Sequence, residues 1–91
     1  MRITVEMSLY PLQGDALSQI LAFIDSLAND ARLEVAVNQM STQIRGELDD
    51  VMHALTQALR TSFAAGGSQV LVTKFLNADL SISEPPVLGR A

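Results

Sequence analysis

The segment Asn38–Asp50, "NQMSTQIRGELDD", decides how the chain is read. Its middle has the length of a strand, yet Ile44 is its only branched apolar residue, set among Thr42, Gln43 and Arg45. A strand buried on both faces reads as a near-continuous apolar run. This one is polar, so one of its faces must meet water, a ligand or another subunit. Gly46 ends the strand. The "ELDD" that follows sets carboxylates at a helix start, where the helix dipole favours them.

Upstream, residues 2–10 alternate. Ile3, Val5, Met7 and Leu9 point one way, and Arg2, Thr4, Glu6, Ser8 and Tyr10 the other. That period of two marks a strand with one face in a core. Pro11 lacks an N–H and stops the ladder. Gly14 makes a turn and Asp15 is placed to cap a helix. The spacing of Leu17, Ile20, Leu21, Ile24, Leu27 and Ala28 predicts that helix and its buried stripe. A second strand alternates Leu33, Val35 and Val37 against Glu34, Ala36 and Asn38, and Asn38-Gln39-Met40 turns the chain into the polar strand.

Downstream, Leu48, Val51, Met52, Leu55, Leu59 and Phe63 predict a second helical stripe, ended by Gly66-Gly67 in a left-handed conformation. "QVLVTKFL" is the last strand. Its register is open: either Val70, Val72 and Lys74, or Leu71, Thr73 and Phe75, share a face with the outward residues of the first strand. The expected organisation is one domain over residues 1–78, then an extended, mobile tail over 79–91.

The element order is β-α-β-β-α-β. Two right-handed crossovers interleave to give a four-stranded antiparallel sheet with both helices on one face. The first and third strands lie at its centre. Ser41, Gln43 and Arg45 then join Thr4, Glu6, Ser8 and Tyr10 on the open face, while Thr42 and Gly46 follow Ile44 toward the helices. A Glu6–Arg45 cross-strand pair is expected there, worth little on a solvated face.

Composition narrows the function. The chain has 91 residues, is 48% apolar, and carries a net charge of −4. A domain of this size buries only roughly 60% of its unfolded surface, so a partner subunit would help it. With no cysteine and one histidine, His53, neither a disulfide nor a Cys/His metal site is expected, and no cofactor. The sign of the charge argues against a nucleic-acid backbone, and no apolar run reaches the length of a membrane span. The start of the chain alternates like a strand and does not read as a signal peptide, so a cytoplasmic protein is expected. His53 falls among Asp49, Asp50, Thr56 and Gln57 and reads as a surface residue. Met7, Met40 and Met52 read as packing residues. No catalytic set emerges: Glu6 alone is no mechanism.

The two polar motifs, "MSLYPL" (7–12) and "QMSTQIRGELDDV" (39–51), resemble the signature regions of the thiamine-binding YkoF-like family. The likeness in element order runs from residue 2 to about 78. It implies a ferredoxin-like α+β fold and non-catalytic binding of thiamine, or its hydroxymethylpyrimidine part, in vitamin uptake or salvage. It also implies association of single-domain members through their sheets, as a homodimer or homotetramer. On this reading Glu6, Ser8, Tyr10, Ser41, Thr42, Gln43 and Arg45 form the ligand site. The hydroxyls and the amide complement an aminopyrimidine, which both donates and accepts. Tyr10 offers a face for stacking. Glu6 or Asp49 would favour the thiazolium cation, and Arg45 would orient Glu6 or meet a hydroxyl or phosphate.

The main alternative is an interaction or regulatory module that uses the open sheet face for subunit contacts. An acylphosphatase would need a glycine-rich phosphate cradle after the first strand, where "YPLQGD" has one Gly. An RNA-binding sheet would carry exposed aromatics on its central strands, and only Tyr10 qualifies.

Overall fold

The computed structural model describes residues 1–89; of the expected tail, Arg90 and Ala91 lie outside the described residues. The elements run β1 (Arg2–Pro11), α1 (Ala16–Ala28), β2 (Glu34–Val37), β3 (Thr42–Glu47), α2 (Leu48–Ala65) and β4 (Gln69–Leu76). The sheet order is β2-β3-β1-β4 with every neighbouring pair antiparallel. This is the ferredoxin-like arrangement expected from the sequence.

β1 organises the core. Its inward residues Ile3, Val5, Met7 and Leu9 are all buried, and Ile44 joins them from β3. The helices contribute Phe23 and Leu27 from α1 and Val51, Ala54, Leu55 and Ala58 from α2. Each large side chain so buried contributes about 1.5–3 kcal/mol. Gly46 is part of this packing: a Cβ there would meet Leu33 Cδ2 at 3.1 Å and Val51 Cγ2 at 3.5 Å.

Both helices are rolled relative to the stripes expected from spacing. On α1, Leu17 and Leu21 are exposed and Ala28 also faces out, while Phe23 is buried beside Leu27. The cause is that α1 carries apolar residues on most of its circumference, so two stripes fit the helical period. The sheet takes the one through Ile20, Phe23 and Leu27, which buries the larger aromatic area. On α2, Leu48, Met52 and Phe63 are exposed, and the buried stripe runs through Val51, Ala54, Leu55 and Ala58. Two alanines lie on that stripe, and small side chains let a helix approach its neighbour closely.

The helix ends also differ in detail. Asp15 occupies the N-cap position of α1, but its side chain makes no cap bond. Its carbonyl instead accepts from Ser18 Oγ at 3.2 Å and Gln19 Nε2 at 3.2 Å. Gly66 closes α2 in an extended conformation (φ −100°), and the left-handed glycine is Gly14 (φ 72°), in the turn before α1. Asp49 and Asp50 do stand in the first turn of α2.

The link from α1 to β2 is fastened by charge. Arg32 donates to Asp30 through Nη2 (2.6 Å), Nε (2.9 Å) and its backbone N–H (3.0 Å), and to Asp50 Oδ1 through Nη1 (3.1 Å). The Arg32 side-chain and backbone hydrogen bonds pull the Asp30 carboxyl from its ordinary value of 3.8 down to about 2.

Two outcomes are expected. Leu55, 4% exposed, is a core residue, and Leu55→Ala should cost about 2–5 kcal/mol in chemical denaturation. Leu21, 52% exposed, should lose about 0.5 kcal/mol or less on the same change, and equal losses would contradict the observed roll of α1. A depressed carboxyl stabilises the fold above its unfolded value and loses that contribution as it is protonated. Asp30→Asn should therefore lower the melting temperature at neutral pH, with the gap from the native protein closing as pH falls from 3.8 toward 2. A gap that persists at the acid end would mean that the pair does not act through charge.

Candidate functional site

Strand register decides which side chains meet on the open face. Glu6 stands opposite Gln43 and Lys74, Ser8 opposite Val72, Tyr10 opposite Val70, and Thr4 opposite Arg45 and Leu76. β4 therefore presents Val70, Val72 and Lys74 outward, which settles the register that the sequence left open. Directly opposed residues of an antiparallel pair lie on the same face, close enough for their side chains to interact.

The turn between β2 and β3 positions Ser41. Asn38 Oδ1 accepts from the backbone N–H groups of Met40 (2.8 Å) and Ser41 (3.0 Å), and the Asn38 N–H donates to the Ser41 carbonyl (3.0 Å). Such an Asx turn is the usual reason for asparagine at this place. Ser41 Oγ then donates to Glu6 Oε2 (3.1 Å), and Ser8 Oγ donates to the Met40 carbonyl (3.3 Å). On its other side Glu6 meets Lys74 Nζ at 3.4 Å.

Beside this cluster lies a cavity of about 240 Å³ between α1, the end of β1 and the β2–β3 turn. Ile20 and Ile24 form its apolar wall; Ser8, Tyr10, Ser41 and Thr42, with Asn38 and Gln39 of the turn, line its polar side. Small-molecule pockets commonly run about 300–1,000 Å³, so this one has room for a single small ring system. A smaller hollow of about 160 Å³ opens on the sheet face between Glu6, Ser8, Tyr10, Val72 and Lys74. Ser8 and Tyr10 line both, and Tyr10 stands 53% exposed at the shared rim.

Of the residues singled out in the sequence, Glu6, Ser8, Tyr10 and Ser41 are brought together here. Thr42 is buried and reaches the cavity from the helix side of the sheet. Gln43 lies on the open face across from Glu6. Arg45 belongs to a different group. The expected Glu6–Arg45 pair does not form, because register places Arg45 opposite Thr4 and Glu34. Arg45 Nη1 donates to Glu34 Oε2 (3.1 Å), and its Nε donates to Asp79 Oδ1 (2.7 Å). Asp49, on the first turn of α2, is separated from Ser41 by all of β3, roughly 20 Å of strand.

Sequence reasoning missed the cavity wall. Ile20 and Ile24 read only as core, and Met40 read as packing although it is 85% exposed at the mouth. The available signal was the apolar surplus of α1, which exceeds what one buried stripe needs. Val72 and Lys74 could not be assigned without register. Elsewhere, a crevice of about 250 Å³ between the outer faces of α1 and α2 contains none of the singled-out residues. Among the described residues no group of three or more His, Cys, Asp and Glu side chains is placed to hold a metal ion, and no helix is long and apolar enough to cross a membrane.

Fold and site together define a ferredoxin-like α+β domain with a polar cluster at one rim of its sheet. The model of the thiamine-binding protein family matches residues 5–76, and the chain belongs to that family. Solved structures agree on the fold. A Thermotoga maritima protein provisionally assigned to thiamine biosynthesis or salvage superposes with a TM-score of 0.80 at 17% identity, covering 91% of this chain and 92% of the other. A Streptococcus pneumoniae protein gives 0.81 at 22% identity, with 91% and 94% covered. A domain of unknown function from Bacillus cereus gives 0.73 at 20% identity, with 90% and 84% covered. No curated protein is matched by the chain.

Proposed function

We propose that this protein binds thiamine, or its hydroxymethylpyrimidine half, without altering it chemically, in uptake or salvage of the vitamin in the cytoplasm. Family membership supports the ligand class. The observation that carries the reading is the Ser41–Glu6 hydrogen bond at the rim of the cavity beneath Tyr10. Ser8, Ser41 and Thr42 offer hydroxyls that both donate and accept, as an aminopyrimidine edge requires. Tyr10 offers a ring face, and Glu6 a carboxylate for the thiazolium cation. Gln43 extends the polar surface next to Glu6.

A second copy of the chain would cover apolar surface at the end of the sheet away from Tyr10 and Ser41. The edge strand β4 and the neighbouring end of α2 expose Met52, Phe75 and Leu76, and a subunit contact would cover such apolar groups. A homodimer or homotetramer formed through sheet edges or faces is part of the proposal.

Calorimetric titration with thiamine and then hydroxymethylpyrimidine tests the reading. Saturable heat is expected for thiamine. A Tyr10→Ala, Ser41→Ala double variant should lose at least roughly tenfold in affinity while keeping the native circular dichroism spectrum. Absence of heat with folded protein would reject ligand binding and leave the open face to subunit contacts.

A further inference from the structure

The segment after β4 crosses back over the open face and stops at two arginines. Thr4 Oγ1 donates to the Ala78 carbonyl (2.8 Å) and accepts from the Leu80 N–H (2.9 Å), so the hydroxyl is clasped by the strap. Between those two bonds Asp79 is delivered to Arg2 and Arg45. Arg2 Nε donates to Asp79 Oδ2 (3.2 Å), and Arg45 Nε donates to Oδ1 (2.7 Å), with Arg45 Nη2 at 3.5 Å from Oδ2. The two guanidiniums project from neighbouring central strands and converge on one carboxylate. Two planar forks aimed at one point are the arrangement that recognises phosphate.

We propose that the Arg2–Arg45 pair is an anion site filled by the chain's own Asp79, and that this strap excludes phosphate esters from the open face. The site and its occupant stand on the geometry alone; the consequence for ligand choice rests on the thiamine reading above. With Asp79 in place, the basic side chains on this face all have carboxylate partners among the described residues. Lys74 has Glu6, Arg45 has Glu34 and Asp79, and Arg2 has Asp79 and Glu47. A phosphate ester would have to displace the doubly held Asp79 carboxylate to be bound, whereas a thiazolium at Glu6 would compete only with the exposed Lys74 ammonium. The hydrogen bond from Arg45 holds the Asp79 carboxyl below its ordinary value, so the plug keeps its charge further into the acid range than a free aspartate would. The strap is also light. It forms no strand ladder, and its Leu80 side chain is exposed, as are Val87 and Leu88 further along.

The test reads the arginines directly. The Nε–Hε resonances of Arg2 and Arg45 are followed by NMR in the native protein, in Asp79→Asn and in Thr4→Val, which loosens the clasp without changing charge. Each is titrated with inorganic phosphate and with thiamine phosphate. Asp79→Asn should bind phosphate at both arginines at least roughly tenfold more tightly than the native protein, with Thr4→Val between the two. In calorimetry the native preference for thiamine over thiamine phosphate should narrow in Asp79→Asn. Equal phosphate response in all three proteins, or none in Asp79→Asn, overturns the proposal. If Asp79→Asn gains phosphate binding while no protein binds thiamine, the anion site stands and the thiamine reading falls. If thiamine binds and the phosphate response does not depend on Asp79, the reverse holds.

Discussion

The structure depends on the pleat of β1. Its odd-numbered residues, Ile3 to Leu9, enter the core, and its even-numbered residues, Glu6 to Tyr10, form the open face. β1 is hydrogen-bonded on both sides, to β3 and to β4, so its parity is imposed on each neighbour. A slip of one residue would expose the core set and bury a carboxylate, a hydroxyl and a phenol at once. The same alternation therefore secures the hydrophobic layer and positions Glu6, Ser8 and Tyr10 outward. Core and site are two faces of one strand.

That strand explains what was legible in the sequence. The alternation of residues 2–10 is strict, and the single apolar residue of β3 leaves little choice of face, so both central strands could be read residue by residue. The helices were harder. A period of 3.6 on a helix apolar around most of its surface admits more than one stripe, and the choice between Leu21 and Phe23 is made by the sheet. Leu55 lies in the overlap of the expected and observed stripes of α2, while Met52 and Phe63 do not. Register between distant strands is set by three-dimensional pairing, so the partners of Arg45 and Glu6 could not be read. Asp79 follows the last strand, in a segment without pattern, and nothing local marks it as reaching β1 and β3.

The open face is divided into two ends of different chemistry. At one, Ser41 and Glu6 leave room at the rim of a cavity. At the other, Arg45, Arg2, Glu34, Glu47 and Asp79 satisfy one another. Exposed ion pairs of this kind contribute little to stability individually. Their effect is to cancel the field of the guanidiniums at the surface. The polarity of β3 thus has two roles: Gln43 and the adjoining Ser41 serve the open end, and Arg45 anchors the closed one.

Tyr10 is the chain's only tyrosine, and there is no tryptophan. Excited at wavelengths too long for its three phenylalanines to absorb, the chain therefore fluoresces from one place, the rim shared by the two hollows. A change in the intensity or lifetime of that emission would report on this corner of the sheet without any attached label. The residue that offers a ring face at the rim is also a built-in optical probe of whatever comes to rest against it.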